Sequence, residues 1–288
     1  MSITMQREKE RGIATQTLPA VSPRSLPRAR AGAPYRTPSR LLTVLPPLIL
    51  GVVLLGLWYL STARGLLPDY ELPTLTSVWS ALVSGLTSGL FLRMAWVTIQ
   101  ESLGGFLLAL VIALPVGYGL AKWRLFAAAV HPYLAAGQAI PAIVIAPFLV
   151  FWMGYGMGPV VVLCFLVVLF PMVITTALGF QHIERSLVEA ALVEGAPFWP
   201  MLVRIEFPLA LPAIMAAFRT GLTLSIVGAL VGEFVTGTDQ GLGALVQIAK
   251  NQFNMPLMFA TVIILACIAA IFYAFSWSLT KVSEAISM

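Results

Sequence analysis

Side chains able to make or break bonds are scarce in this sequence and stand apart from one another. Cys164 and Cys267 each sit inside an apolar run, where a thiol behaves as a small buried hydrophobe rather than a ligand or half of a bridge. His131 and His182 have no companions at metal-binding spacing, so neither a metal site nor a cofactor site is predicted. No serine–histidine–aspartate set and no paired-carboxylate arrangement can be argued from the chain. Neither is there a G-x-x-x-x-G-K-[ST] loop to cradle phosphates. What does carry a pattern is one polar stretch, residues 183–208, with Glu184, Arg185, Glu189, Glu194, Arg204 and Glu206 interleaved among alanines and large apolar residues. A mere connector needs only a few residues. Charges and apolar groups mixed at helical spacing suit docking rather than bond making.

The elements that position this stretch follow from composition. The chain has 288 residues, of which 59% are hydrophobic and 10% charged, with a mean hydropathy of +0.92. Soluble domains carry about 25% charged residues, so the chain is read as an integral membrane protein. Its charge is segregated. Residues 1–40 hold eight basic and two acidic residues, and the remainder is close to neutral. With no basic face in the body and no aromatics interleaving the tail charges, a nucleic-acid partner is not predicted. The tail, rich in Pro, Ser, Thr and Arg, reads as disordered. The charge-free run after it is too long for the apolar core of a signal peptide.

About 20 apolar residues cross a bilayer. Spans are predicted near 41–62, 95–121, 130–153, 159–181, 210–235 and 257–281, with a turn at Gly154, Gly156, Gly158 and Pro159 between the third and fourth. Residues 72–92, with seven Ser/Thr, read as a surface segment or short interfacial helix. With both termini cytoplasmic, inner segments hold thirteen basic residues and outer ones three, as the positive-inside rule requires. Continuous apolar runs exclude a transmembrane β-barrel. Pro115, Pro141, Pro147 and Pro171 fall inside the spans, either as packing kinks or as shapes around a path.

Residues 183–208 would lie on the cytoplasmic side. Helix formers run to Glu194. Gly195 then permits a change of direction, and a second short helix follows with Phe198, Leu202 and Ile205 on one face. Pro197 fits its first turn, and Pro208 is expected to end it.

Glu189-Ala190-Ala191, three residues, Gly195, nine residues, Ile205, one residue and Phe207-Pro208 resemble the EAA loop of binding-protein-dependent ABC importer permeases. Phe207 stands where that family usually has leucine. The resemblance covers roughly residues 72–280. Leu72–Leu82, Ile140–Pro147 with Trp152–Gly156, and Gly232–Val235 with Gly241–Gly243 look like the branch that takes nitrate, sulfonate, taurine, pyrimidines and riboflavin. Val227–Phe234 looks most like importers of riboflavin or thiamine-precursor pyrimidines. The resemblance implies an all-α integral membrane protein of about six transmembrane helices with the type I ABC importer permease fold. It divides the chain into a tail (1–40), a first span with an extracytoplasmic segment (41–92) and a permease core (93–281) holding the coupling loop (182–208). It further implies a chain that is not itself an enzyme, two ATP-binding subunits that hydrolyse ATP, a second permease chain (itself or a homologue) and an extracytoplasmic substrate-binding protein. Glu189, Ala190, Ala191, Gly195, Phe198, Leu202, Ile205 and Pro208 would form the ATPase-coupling loop.

Glu101 near the outer start of the second span and Glu233 near the outer end of the fifth are placed at similar depth. With Gln138 they are candidates for a substrate path, the plainer reading being interface residues that reach water. Arg219 is read as snorkelling to the cytoplasmic face. The favoured solute is riboflavin or a thiamine-precursor pyrimidine. Aliphatic sulfonate, taurine or nitrate is the alternative. An ion-coupled secondary transporter would show an inverted repeat and mid-membrane charges, and a membrane enzyme a reactive constellation. Neither pattern is visible.

Overall fold

The computed structural model describes residues 40–65, 67–68 and 71–287, with side chains described between 45 and 281. Apart from Arg40, the predicted disordered tail lies outside them. The chain falls into two units that divide within the first helix, after Leu54. In the first unit, residues 40–54 are helical, and Leu48, Leu50 and Val52 are well exposed. Exposure of such a run to lipid rather than water is what makes it stable.

The second unit is a helical bundle. Helix α1, Arg40–Ala63, enters it at Leu55, and the Trp58 indole N–H donates to the Pro73 carbonyl oxygen at 2.9 Å. Helix α2, Leu75–Thr87, starts on the Thr74 hydroxyl, which accepts from the Ser77 N–H. Thirteen residues reach only about 20 Å, too short to cross a bilayer, as expected for this Ser/Thr-rich segment. Helix α3, Leu90–Lys122, extends about 50 Å and crosses with length to spare.

Helix α4, Arg124–Ala139, and helix α5, Ala142–Met153, occupy the predicted third span, but they are not one helix. Their axes differ by 96°. Pro141 pushes the residue before it out of the helical region, and Ile140 and Pro141 are both extended (ψ 119° and 129°). The third span is therefore a broken or re-entrant pair. Gly154 (φ 78°) and Gly156 (φ 128°) make the turn into helix α6, Met157–Gln181. Gly158 and Pro159, assigned to that turn from sequence, lie in the first turn of α6 itself.

Helices α7, Arg185–Val193, and α8, Phe198–Met201, follow, then a π-helical turn, Leu202–Glu206, that runs directly into helix α9, Phe207–Thr236. Helices α10, Leu242–Asn251, and α11, Met255–Ser287, complete the chain. Five helices are long and apolar enough to cross a membrane, six if α4 and α5 count as one span, and no strand occurs among the described residues.

Helix α6 packs against both α3 and α9. Small residues set how closely they approach, the usual basis of helix association in lipid. A Cβ at Gly105 would come within 2.7 Å of the Val161 carbonyl oxygen on α6, and one at Gly228 within 2.8 Å of the Cys164 Cα. Around these contacts Phe106, Ala109, Ala113, Val168, Met172 and Leu222 are buried. Phe106 meets Phe218 edge to face at 4.9 Å. Cys164 is buried and Cys267 exposed, both as free thiols.

Candidate functional site

The loop between α6 and α9 forms one end of the bundle. Helix α7 stops in a Schellman arrangement. The Ala196 N–H donates to the Ala191 carbonyl oxygen and the Gly195 N–H to that of Leu192, each at 3.0 Å, with Gly195 at φ 78°. Nothing lies within 4 Å of where a Gly195 Cβ would project. Backbone conformation, not space, therefore calls for glycine. Beyond the bend, Pro197 precedes α8 rather than sitting in its first turn.

The bend leaves an apolar ridge in the open. Leu192, Val193, Phe198 and Trp199 are each 59% exposed or more. Among the predicted loop residues, Phe198 belongs to this ridge. Leu202 and Ile205 are half-buried, with Leu202 packed beside Phe180, Ala210 and Ile214 in the bundle. Ala191 is buried, while Glu189 and Ala190 are exposed. Glu189 lines a cavity of about 570 Å³ together with Lys122, Arg124 and Arg185. Sequence reasoning missed Trp199, Leu192 and Val193. The Phe198–Leu202–Ile205 periodicity marks the inward edge of the helix as much as its outer face.

Pro208 does not end the second helix. The chain runs helically from Phe198 to Thr236. In the π-turn the Phe207 N–H reaches back five residues to the Leu202 carbonyl oxygen. Shifting the ladder by one residue there lets Pro208, which has no N–H to give, occupy the first turn of α9.

Below the ridge lies an anchor that was not foreseen. Glu206, 2% exposed, is ion-paired with Lys122 at the end of α3 and accepts from the Tyr118 hydroxyl at 3.0 Å. The Tyr118 ring also packs edge to face on Phe180 and lies near Phe198. This is the one ion pair among the described residues. It ties the π-turn, and so the loop, to α3.

At the opposite end of the bundle, Glu101 and Glu233 are each 1% exposed. They are not interface residues reaching water. Their carboxyl groups lie against each other. Glu233 accepts from the Thr98 hydroxyl (2.6 Å) and from the Gly243 N–H (2.5 Å), and Thr98 in turn accepts from the Leu242 N–H (2.8 Å). The carboxyl of α9 thus caps the N-terminus of α10, where free N–H groups and the helix dipole favour an acceptor. A Cβ at Gly241 would overlap the Glu233 carboxyl, and Gly241 has φ 107°. The Gly241-Leu242-Gly243 run is therefore the seat of a carboxylate cap.

Glu101 has one oxygen, Oε2, without a hydrogen-bond partner. Gln138 is exposed and lines a different cavity with Phe170 and Pro171 of α6. The proposed path residues are thus brought together in two of three cases. Arg219 is half-buried with its guanidinium 5.7 Å from the Tyr273 ring centroid. His182 Nδ1 lies 2.7 Å from the Leu178 carbonyl oxygen, and no cluster of metal-ligating side chains occurs among the described residues.

This architecture is that of an ABC transporter permease. An inward-facing structure of the MetNI methionine ABC transporter superposes with a TM-score of 0.60 at 19% identity, covering 67% of this chain and 95% of that one. The chain belongs to the family of binding-protein-dependent transport system inner membrane components, whose model matches residues 105–284. It is 38% identical to the riboflavin transport system permease protein RibX of Chloroflexus aurantiacus, over 92% of this chain and 96% of that protein. It is 28% identical to the formylaminopyrimidine transport permease protein ThiX of Halalkalibacterium halodurans, over 80% of this chain and 91% of that protein. The chain is thus a multi-pass membrane-spanning permease subunit of an ABC importer.

Proposed function

We propose that this chain forms the path through which riboflavin, or a related pyrimidine heterocycle, crosses the cytoplasmic membrane. It does so as one of two permease chains above two ATP-binding subunits, with an extracytoplasmic binding protein delivering the solute. The loop end faces the cytoplasm, as do both termini. ATP is hydrolysed on the separate subunits, and the α7–α8 loop transmits the change by binding them differently in two states of the permease. The observation that carries the coupling role is the exposed ridge of Leu192, Val193, Phe198 and Trp199 beside the Gly195 bend. Apolar groups presented together on a polar loop mark a protein contact. The substrate rests on the likeness to RibX and ThiX.

The test is capture of the cognate ATP-binding subunit by the detergent-solubilised chain, followed by riboflavin uptake into proteoliposomes. Phe198→Ser with Trp199→Ser is expected to lower ATPase capture about tenfold or more, as loss of central aromatic contacts does, with unchanged permease melting. Undiminished capture overturns the loop assignment. Absence of riboflavin uptake by the intact wild-type transporter overturns the substrate.

A further inference from the structure

At the end of the bundle away from the loop, a cavity of about 530 Å³ opens between the start of α3, the Gly154–Gly156 turn and the chain between α9 and α10. Its size falls among small-molecule sites, which run from about 300 to 1,000 Å³. Val97, Gln100 and Glu101 line it from α3, Tyr155 from the turn, and Asp239 and Gln240 from the last segment. Glu101 is 1% exposed, and its carboxyl lies against that of Glu233. Two carboxyl groups in contact at the wall of a cavity hold more acceptor oxygens than donors, and a buried acceptor in deficit is costly. The surroundings show what donor would fit. Glu233 is already engaged by Thr98 and the Gly243 N–H. No lysine or arginine lines the cavity. Arg93, exposed one turn outward on α3, is not among the lining residues. Tyr155, 81% exposed, offers a flat aromatic face at the rim.

We infer that this cavity is a receiving site for the solute, in which the Glu101 carboxyl accepts a hydrogen bond from a ring N–H or amino group of a neutral heterocycle stacked on Tyr155. The inference rests on the orientation and solute class proposed above, and it deepens them. A site with two acids and no base cannot balance the charge of a sulfonate or nitrate. Selection against anionic solutes would thus be built into the permease as well as into the binding protein. Glu101 has a contact role here, and Glu233, which caps α10, a positioning one.

The experiment uses the permease assembled with its ATP-binding subunit in liposomes, carrying Cys267→Ser and a reporter, Gln100→Cys, at the cavity wall. Labelling rates for a cationic and an anionic thiosulfonate, each normalised to free cysteine, report the field in the cavity. The cationic reagent is expected to be favoured about fivefold or more, the effect of a one-signed cleft. Equal rates, or a preference for the anionic reagent, overturn the inference. This readout requires no knowledge of the solute, so it stands or falls separately from riboflavin transport. Riboflavin is then added as protectant. It should slow labelling with Glu101 intact, and about tenfold more riboflavin should be needed with Glu101→Leu, the effect of losing one hydrogen bond to a buried group. Glu101→Gln, which keeps an acceptor and controls for folding, should stay within about threefold of the parent. Equal protection in all three proteins removes Glu101 from the site.

Discussion

The two ends of the bundle break opposite rules of a soluble protein. At the loop end, apolar side chains are exposed: Phe198 and Trp199 project from a polar segment. At the far end, acids are buried: Glu101 and Glu233 lie side by side at 1% exposure. Each exception has its own cause. An exposed apolar ridge persists because another surface covers it in the working assembly. Glu233 persists as a buried acid because a hydroxyl and a backbone N–H satisfy it; Thr98 and Gly243 donate to it directly, and Thr98 is itself held by the Leu242 N–H. The ends also differ in what fixes the backbone. The loop end depends on one long-range ion pair, Lys122–Glu206, and the far end on a helix capped by a carboxylate.

The sharpest way to break this comparison is at the ion pair. Lys122→Met leaves Glu206 buried with only the Tyr118 hydroxyl as partner. It should cost about 3 kcal/mol, the low end of the range for orphaning a buried charge because the Lys122 side chain is 30% exposed, read as a fall in melting temperature of the purified chain. Lys122→Met with Glu206→Met should recover most of that loss, because an apolar pair replaces a buried ion pair at little cost. A double variant no more stable than the single one would show that the pair anchors the π-turn through more than charge. At the far end, Glu233→Leu strips the acceptor from Thr98 and from the α10 N-terminus. About 3 kcal/mol of destabilisation is expected from unsatisfied buried donors, with faster amide exchange confined to the start of α10. Glu233→Gln, which keeps one acceptor oxygen, should lose roughly half as much.

The sequence conveys the parts of this molecule that are one-dimensional. Apolar runs reveal the spans because length and hydropathy need no partner. Gly195 reveals the bend because positive φ belongs to a single residue. What escaped is set by contacts across the chain. Lys122 and Glu206 lie 84 residues apart, and Thr98 and Glu233 135 apart. No local pattern marks either pair as joined. The break at Pro141 escaped for a subtler reason. Proline inside an apolar run is tolerated in lipid as a mild kink, and whether Ile140 also turns extended depends on what α4 and α5 pack against. Pro208 misled in the opposite direction, because a π-turn, which no residue type announces, lets the helix continue past it. The loop's outward face was half legible for the same reason. Phe198 and Leu202 are neighbours on one helix, yet the bundle takes Leu202 and leaves Phe198 out.

The smallest stability effect separates direction from contact at the loop end. Gly195→Ala adds one methyl group where nothing lies within 4 Å, so it creates no clash and removes no contact. Its only cost is the left-handed backbone at φ 78°, about 1 kcal/mol for a residue bearing a Cβ. If the strain is simply borne, α8 keeps its heading, and ATPase capture should match the parent within about twofold while melting falls by a few degrees. If the chain relaxes toward negative φ, the hydrogen bonds from Gly195 and Ala196 back to Leu192 and Ala191 break. Phe198 and Trp199 then swing away from Leu192 and Val193, and capture falls with little further loss of stability. The second outcome is expected. The Schellman pair is solvent-exposed and worth only about 1 kcal/mol, no more than the strain it would have to hold, whereas the ridge is useful only when both halves face one partner. Capture that tracks melting across Gly195→Ala, Gly195→Asn and the parent would instead make the bend a stabilising feature alone. Asparagine, which tolerates the left-handed region better than alanine, is the variant that distinguishes the two.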